Sequence, residues 1–522
     1  MASRGLSRYG RWRLPRLLHT KHSPEADYDT RKNDINSSWF PPIANTRSPQ
    51  VALLRVPQFN AHFSTTDFAQ WPQQRSPDFF RVEGRVGAIR KSGKGMYFID
   101  LYQDDAKVQI VATNKLMGLS RDEFEETHGI LKTGDCIGVE GQAGRTNTGE
   151  LSLKARAPVA MLAPASRLPN KLSDKGLINA NRALYYRVEP QSKQPIVVKS
   201  QLCREFRQFF DRHGFLEVQT PILSGPATGA NARGFHTTDI HGTQLSLRVA
   251  PELWLKKLVI GGFDKVFEIG CNFRNEGIDA THNPEFTSCE FYQSYTSLDE
   301  LMSMTEQLFA QCQQSLQSPA LDPLTRSYKR VEFIPGIEAE TGHPLPAELT
   351  QPNLHDYCRL VGVDVNPTES PAQMLDALSS TFLEPISLRP ENLNHPVFIY
   401  HQPEAMSPLA KGTTKVYGDR TYNISLRFEL FINGKEYVNA YEEENDPSAQ
   451  ERKFREQLSF NDQFGDDESL VPDWRYLEQM EYGLPPTGGW GCGIDRLAML
   501  FAGCDRIEQV QTFGTVDDVI KQ

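Results

Sequence analysis

The chain has 522 residues, of which 39% are apolar and 23% charged, and a formal net charge of −10. This is the composition of a globular chain of roughly two to four domains and excludes a disordered or fibrous one. No run of 18 apolar residues exists, so no membrane insertion is expected, and the acidic balance leaves any nucleic-acid contact to local basic patches.

Residues 1–24 carry Arg4, Arg8, Arg11, Arg13, Arg16 and Lys21 and no acid, with Trp12, Leu14, Leu17 and Leu18 interspersed. Arg-rich, acid-free and amphipathic is the pattern of a mitochondrial transit peptide; a basic tail that binds nucleic acid is the competing reading. The eight cysteines form no CxxC pair, which argues against a zinc site or disulfide framework and for a reducing compartment. Residues 25–76, rich in Pro, Ser, Asn and Gln, read as a linker with at most one short helix.

From Phe79 the pattern turns to short strands. Phe80–Ile89, Gly95–Leu101, Lys107–Ala112, Asp135–Gly141 and Glu150–Ala155 read as five, with a helix near 120–127 after the third. That order predicts an OB-type barrel over residues 77–165, a fold suited to single-stranded nucleic acid. Arg85, Arg90, Lys91 and Lys94 supply positive charge. Of Tyr97 and Phe98, alternation sends one into the barrel and leaves the other for a base. Residues 166–195 read as a second linker.

The remainder, 196–522, reads as an α+β domain. Val198, Leu202, Phe206, Phe209 and Phe210 fall at helical spacing, Gly214 stops the helix, and a strand, Phe215–Val218, leads to Pro221. This helix and strand offer an apolar surface suited to dimer contact. Antiparallel strand signals follow, with helices near 251–261, 298–315 and 495–502, and a Pro-rich, mostly helical insertion at about 319–395.

Three constellations in this domain carry chemistry. Two strand-like runs, Lys265–Ile269 and Phe286–Tyr292, hold a loop with Arg274, Glu276 and His282. A guanidinium fork suits an α-phosphate, Glu276 can accept from an exocyclic amine, and Phe286 offers a flat face for a base. Next, Leu426–Ile432 and Lys435–Glu443 flank Asn433-Gly434, a type I′ hairpin turn. A regular register puts Phe431 opposite Glu436 and Glu429 opposite Val438, so Glu429 and Glu436 form a diagonal acid pair suited to Mg²⁺ carried by phosphates. Asn439, Tyr441 and Glu443 share the opposite face, so the second strand must bulge between Glu436 and Asn439 if all five serve one site. With Glu290 and Tyr292, two residues apart on another strand, these acids and phenols suit a long cationic side chain. Last, Gly488–Arg496 is a glycine-rich strand entering a helix; Arg496 in its first turn opposes the helix dipole, a cost that a phosphate would offset.

With these residues in hand, the chain resembles class II aminoacyl-tRNA synthetases, and among them the lysyl-tRNA synthetases of fungal mitochondria. The resemblance covers roughly residues 79–522. It rests on Phe215–Pro221, on Phe273–Gly277 with His282–Tyr292, and on Gly488–Arg496, which match the three class motifs in order. Ala250-Pro-Glu252, Met406–Lys411 and Asn439–Pro447 support it. It implies an antiparallel-sheet catalytic domain with flanking helices behind an OB-fold anticodon-binding barrel. The implied reaction makes lysyl-adenylate from L-lysine and ATP with Mg²⁺, then transfers lysine to tRNA(Lys); the implied state is a homodimer, and the implied compartment, with the transit peptide, is the mitochondrial matrix. By position, the resemblance gives Arg274 and Arg496 the catalytic charge neutralisation, and gives Arg274, Glu276, His282, Asn283, Phe286, Glu436, Tyr437, Gly493 and Arg496 to ATP. Gly229, Glu252, Arg274, Glu290, Tyr292, Asn439, Tyr441 and Glu443 go to lysine, Glu429 and Glu436 to the metal, and Phe98, Gln109 and Glu150 to an anticodon base.

Three stretches depart from the family pattern: Asn181–Gln191 is divergent, Gly412–Ser425 is long, and Phe513-Gly514 stands where Phe-Pro is common. An aspartyl or asparaginyl enzyme shares the barrel and motifs, but acids at 290 and 443 would repel aspartate. A non-catalytic tRNA-binding paralogue would usually lose a motif arginine or metal acid, and none is lost here.

Overall fold

The computed structural model describes residue 31 and residues 35–521, except 94, 166–167, 170, 226–232, 319–320, 322–326 and 465–471. The expected transit peptide, 1–24, together with Lys94 and Gly229, lies outside the described residues. Two compact units divide the chain, residues 1–172 and 173–522.

The first unit is built on the expected barrel. Its strands are β1 (Phe80–Lys91), β2 (Met96–Gln103), β3 (Ala106–Thr113), β4 (Cys136–Arg145) and β5 (Leu151–Ala155). They pair β1–β2–β3–β5–β4, and β4 returns to β1, which closes the sheet. The predicted helix runs Arg121–His128, started by a capping box between Ser120 and Glu123. The expected linker 25–76 needs correction: helix Val56–Phe63 buries Val56, Phe59 and Phe63 in the barrel's apolar cluster with Phe68, and Ala52–Leu53 adds a short parallel strand to β1. Polar composition hid a segment that needs only four apolar anchors. Arg31 is held as well, bidentate to buried Asp135 at 2.7 and 2.8 Å.

The second unit is an eight-stranded sheet. Its strands are β6 (Leu216–Glu217), β7 (Lys265–Phe273), β8 (Glu285–Ser294), β9 (Lys329–Glu332), β10 (Val397–Tyr400), β11 (Arg427–Ile432), β12 (Lys435–Glu442) and β13 (Thr487–Gly493). They lie in the order β9-β10-β11-β12-β13-β8-β7-β6, antiparallel throughout except for the parallel pair at each edge. Helix α1 (Gln194–Arg212) turns the predicted stripe Val198, Leu202, Phe206, Phe209 and Phe210 onto this sheet and stops at Gly214, whose φ of +75° glycine adopts without strain. Helix α2 (Glu252–Ile260), α3 (Leu298–Leu316) and α4 (Ile494–Ala502) lie where periodicity placed them.

Between β9 and β10 sit helices Phe333–Thr341, Gln351–Val361 and Pro371–Leu378, with a core of their own around Ile334, Ile337, Leu354 and Met374. The long 412–425 stretch folds as a hairpin, Gly412–Tyr417 with Arg420–Ser425, and braces this insertion: Arg420 Nη1 and Tyr422 Oη both donate to the Leu345 carbonyl, at 2.7 and 2.9 Å. The expected linker 166–195 also needs correction, since it holds helices Lys175–Ala180 and Arg182–Val188. This divergent stretch fastens the C-terminal segment: Arg182 donates to the Glu508 carbonyl, and Tyr186 Oη to that of Thr512 at 2.6 Å. Gly514 has φ +83°, and a Cβ there would lie 2.5 Å from Asp518 Oδ2, which explains the glycine after Phe513.

Candidate functional site

The middle of the sheet, β11, β12, β13 and β8, floors a cavity of about 490 Å³. Strand alternation decides what faces it. On β13, residues 489–493 all border the cavity; Gly489, Gly491 and Gly493 turn their bare faces to it, while the side chains of Trp490 and Cys492 belong to the opposite apolar cluster. The glycines keep the floor flat, so side chains from neighbouring strands can lean across it.

The predicted bulge is present. Leu430 pairs with Val438 and Phe431 with Glu436, which leaves Tyr437 unpaired on β12. The extra residue reverses the alternation, so Glu436, Asn439 and Tyr441 all line the cavity. Glu429 consequently faces Asn439 rather than the Val438 of a regular register.

One end of the cavity suits a nucleotide. Arg274, Glu276, His282, Asn283, Phe286, Glu429, Glu436, Tyr437, Gly493 and Arg496 all line it. The Arg274 guanidinium sits 5.2 Å from the Phe286 ring centroid. Arg496, in the first turn of α4, donates from Nη1 to the Glu436 carbonyl at 2.8 Å and meets His282 Nε2 from Nη2 at 3.0 Å. His282 Nδ1 lies 2.8 Å from Asp279 Oδ2, so a proton on Nδ1 satisfies both contacts and leaves Nε2 to accept from Arg496. Asn283 departs from a free ligand role. Its amide donates to the Glu285 carbonyl and to Gln511 Oε1, and its carbonyl accepts from Val516 N, so it ties the loop to the chain's last turn.

Burial first, and then the charge of Glu429, push the Glu436 carboxyl up to about 7. No hydrogen-bond donor among the described residues reaches that carboxylate, whereas Glu429 is held by Arg427 at 2.5 Å and by Gln402 at 3.2 Å. Two converging acids, one without a partner, fit a hard divalent cation. No group of three candidate ligands occurs among the described residues, so such an ion would draw its other oxygens from phosphates and water.

The other end is acidic. Glu252, Glu290, Tyr292, Asn439 and Tyr441 line it. Tyr292 Oη donates to Glu290 Oε2 at 3.1 Å, and Tyr441 Oη to Glu252 Oε1 at 2.5 Å. Burial, reinforced by Glu252, pushes the Glu290 carboxyl up to about 8. Glu443 is not on the cavity wall. It stands behind it, 2% exposed, against the buried ammonium of Lys256.

Sequence reasoning missed Lys256 and Arg427. Lys256 follows Glu252 by one helical turn, a spacing that usually marks an ordinary surface pair. Arg427 precedes Glu429 by two residues and so shares its face; it donates to Asn439 Oδ1 at 3.0 Å and to the Met406 carbonyl at 3.1 Å. It thereby joins the acid pair to the 406–410 loop.

In the barrel, Tyr97 is buried and Phe98 half-exposed, which resolves the alternation. Gln109 Nε2 donates to Glu150 Oε2 at 2.7 Å, and Lys107 Nζ to Glu150 Oε1 at 3.1 Å. Asp100 lies opposite Gln109 and two residues from Phe98, so Phe98 and Gln109 share one face of the sheet.

A family model described as tRNA synthetases class II (D, K and N) matches residues 174–517, and one described as an OB-fold nucleic acid binding domain matches residues 80–157. The mitochondrial lysine–tRNA ligase of Schizosaccharomyces pombe is 40% identical over 96% of this chain and 95% of its own. That of Saccharomyces cerevisiae is 40% identical over 84% and 82%. A lysine–tRNA ligase of Streptococcus pneumoniae is 38% identical over 83% and 87%.

Proposed function

Because the chain belongs to the class II tRNA synthetases, we propose that it activates L-lysine with ATP as lysyl-adenylate and transfers the lysine to tRNA(Lys) for mitochondrial translation. The acidic end of the cavity carries this reading. A pocket walled by Glu252 and Glu290, with two phenols bonded to them, attracts an amino acid with a second ammonium and repels aspartate.

The residues divide the work by charge. Glu252 takes the α-ammonium of lysine, and Glu290 with Tyr292 takes the ε-ammonium, with Tyr441 lining the pocket. Arg274, opposite the acids, pairs with both the substrate carboxylate and the α-phosphate, and so brings nucleophile and electrophile together. Phe286 stacks the adenine, Glu276 and His282 bind the nucleotide, and Arg496 offsets charge on the departing pyrophosphate. The lysine carboxylate attacks phosphorus, the bond to the leaving phosphate breaks, and a tRNA ribose hydroxyl later attacks the carbonyl and releases AMP. No side chain forms a covalent bond. Catalysis is positioning plus charge neutralisation, and loss of one such contact costs about 2.7–4 kcal/mol of barrier. Glu429 and Glu436 would hold Mg²⁺, which supplies charge neutralisation on the phosphates.

On the same reading, Phe98, Gln109 and Glu150 take an anticodon base. The enzyme works as a homodimer: β6 is a sheet edge, and Leu216 within it and Ile222 and Leu223 shortly after it in the chain are 45–52% exposed. Its place is the mitochondrial matrix. ATP–pyrophosphate exchange tests the core of this reading. Lysine alone among lysine, aspartate and asparagine should stimulate it; stimulation by either of the others reassigns the substrate, and no exchange with tRNA binding intact marks a non-catalytic paralogue.

A further inference from the structure

We propose that Lys256 is a specificity-determining positioning residue of the amino-acid pocket: a resident ammonium that fixes Glu443 beside Glu252, which Tyr441 holds independently, and so sets the site where the substrate's own ammonium groups are received. The inference rests on the lysine-activating reading above and deepens it.

Lys256 is 1% exposed, and its Nζ donates to Glu252 Oε1 at 2.6 Å and forms an ion pair with Glu443 Oε2. The rings of Tyr441, Tyr476 and Tyr292 surround it, with centroids 5.5, 5.9 and 6.0 Å from Nζ. Burial alone would lower this ammonium's pKa, but the charges of Glu252 and Glu443 outweigh it and raise the pKa, so Lys256 stays cationic.

Glu443 depends on it. Neither of its oxygens accepts a hydrogen bond of ordinary geometry, so the charge contact with Lys256 is what orients it. On the other side Gly489 leaves the needed gap, for a Cβ there would lie 1.9 Å from Glu443 Oε1. The cluster thus sets three carboxylates, Glu252, Glu290 and Glu443, against one fixed cation. Nearby Arg248 is already engaged by Glu268 at 2.6 Å, and Arg274, which lines the same cavity, acts on Glu290 by charge alone, with no ion pair between them. The cluster therefore still lacks positive charges of its own. Protons can supply them in the free protein, as the raised Glu290 carboxyl indicates, and the two ammonium groups of lysine can in the complex. A core that needed only volume here would hold Leu or Met, because a buried ion pair is seldom more stable than its apolar replacement.

The test is a double-mutant cycle of Lys256→Met and Glu443→Gln, read by lysine-dependent pyrophosphate exchange with thermal melting as a fold control. Lysine dependence of the wild-type enzyme is established first; its absence overturns the functional reading rather than this inference. Lys256→Met should raise the KM for lysine about tenfold or more while the KM for ATP moves less than about twofold. In the Glu443→Gln background the same change should add less than about threefold, because Lys256 acts through Glu443. An unchanged KM for lysine in folded Lys256→Met, or equal rises for lysine and ATP with additive effects, overturns the proposal. Should Lys256→Met alone not fold, the double variant, in which the deleted charges match, is compared with Glu443→Gln: a KM for lysine within about threefold supports it, and a further tenfold rise overturns it.

Discussion

Glu290 changes state with its guest. In the free protein its carboxyl is raised to about 8, by burial and then by Glu252, so it holds a proton at neutral pH. A substrate ammonium takes the place of that proton, and binding should strengthen as pH removes it. Between the unfolded carboxylate value and about 8 the folded free protein binds the extra proton, so this residue's contribution to stability falls as pH rises through that window. The KM for lysine should therefore fall between pH 6 and 8 by up to about tenfold per unit, and Glu290→Gln should flatten the profile. A flat wild-type profile in pyrophosphate exchange would show that Glu290 carries no proton for the substrate ammonium to replace. Glu436, raised to about 7, belongs to the nucleotide end and should move the KM for ATP instead. The Glu290–Tyr292 pair was legible because two-residue spacing is a direct statement of facing. Lys256 and Arg427 were not: each is a cation near an acid, a common pattern, and only three-dimensional closure shows what surrounds them.

β13 shows the same logic at the scale of an element. Its cavity-facing glycines are needed for different neighbours: at Gly489 a Cβ would meet Glu443 Oε1 and, at 2.7 Å, Tyr292 Cε1, whereas at Gly491 the nearest atom is 3.6 Å away. Gly489→Ala should raise the KM for lysine about tenfold or more through displaced Glu443, with a melting temperature lowered by only a few degrees. An unaltered KM would mean that Glu443 is free to move. The bulge at Tyr437 was legible because alternation put two groups of polar residues on opposite faces, and chemistry demanded one. The 25–76 stretch reads as a linker with room for one short helix; that the helix packs into the barrel was not legible, because four buried anchors, Val56, Phe59, Phe63 and Phe68, are too few to stand out from a polar background. The 412–425 hairpin was seen only as excess length; its anchorage on Leu345 depends on the insertion's own fold.

For the whole molecule, residues 1–24 decide its address on the transit reading. Residues 1–30 fused to a reporter should carry it into mitochondria; cytosolic retention would refute the transit reading and leave the basic stretch as a tail. The catalytic unit poses a different question of order in time. Its sheet is completed by β13, which reaches its place between β12 and β8 from near the chain's end, and Asn283 and Arg182 are then fastened to residues beyond 507. A polypeptide that stops short of residue 487 therefore holds Glu290 and Asn439 on two separate half-sheets, each with a raw inner edge of unpaired amides and carbonyls. Such fragments cannot grade down into weak enzymes. They would be sticky, inactive and open to proteases, so that ribosomal drop-off or a late frameshift yields a product the cell clears rather than a synthetase of reduced accuracy.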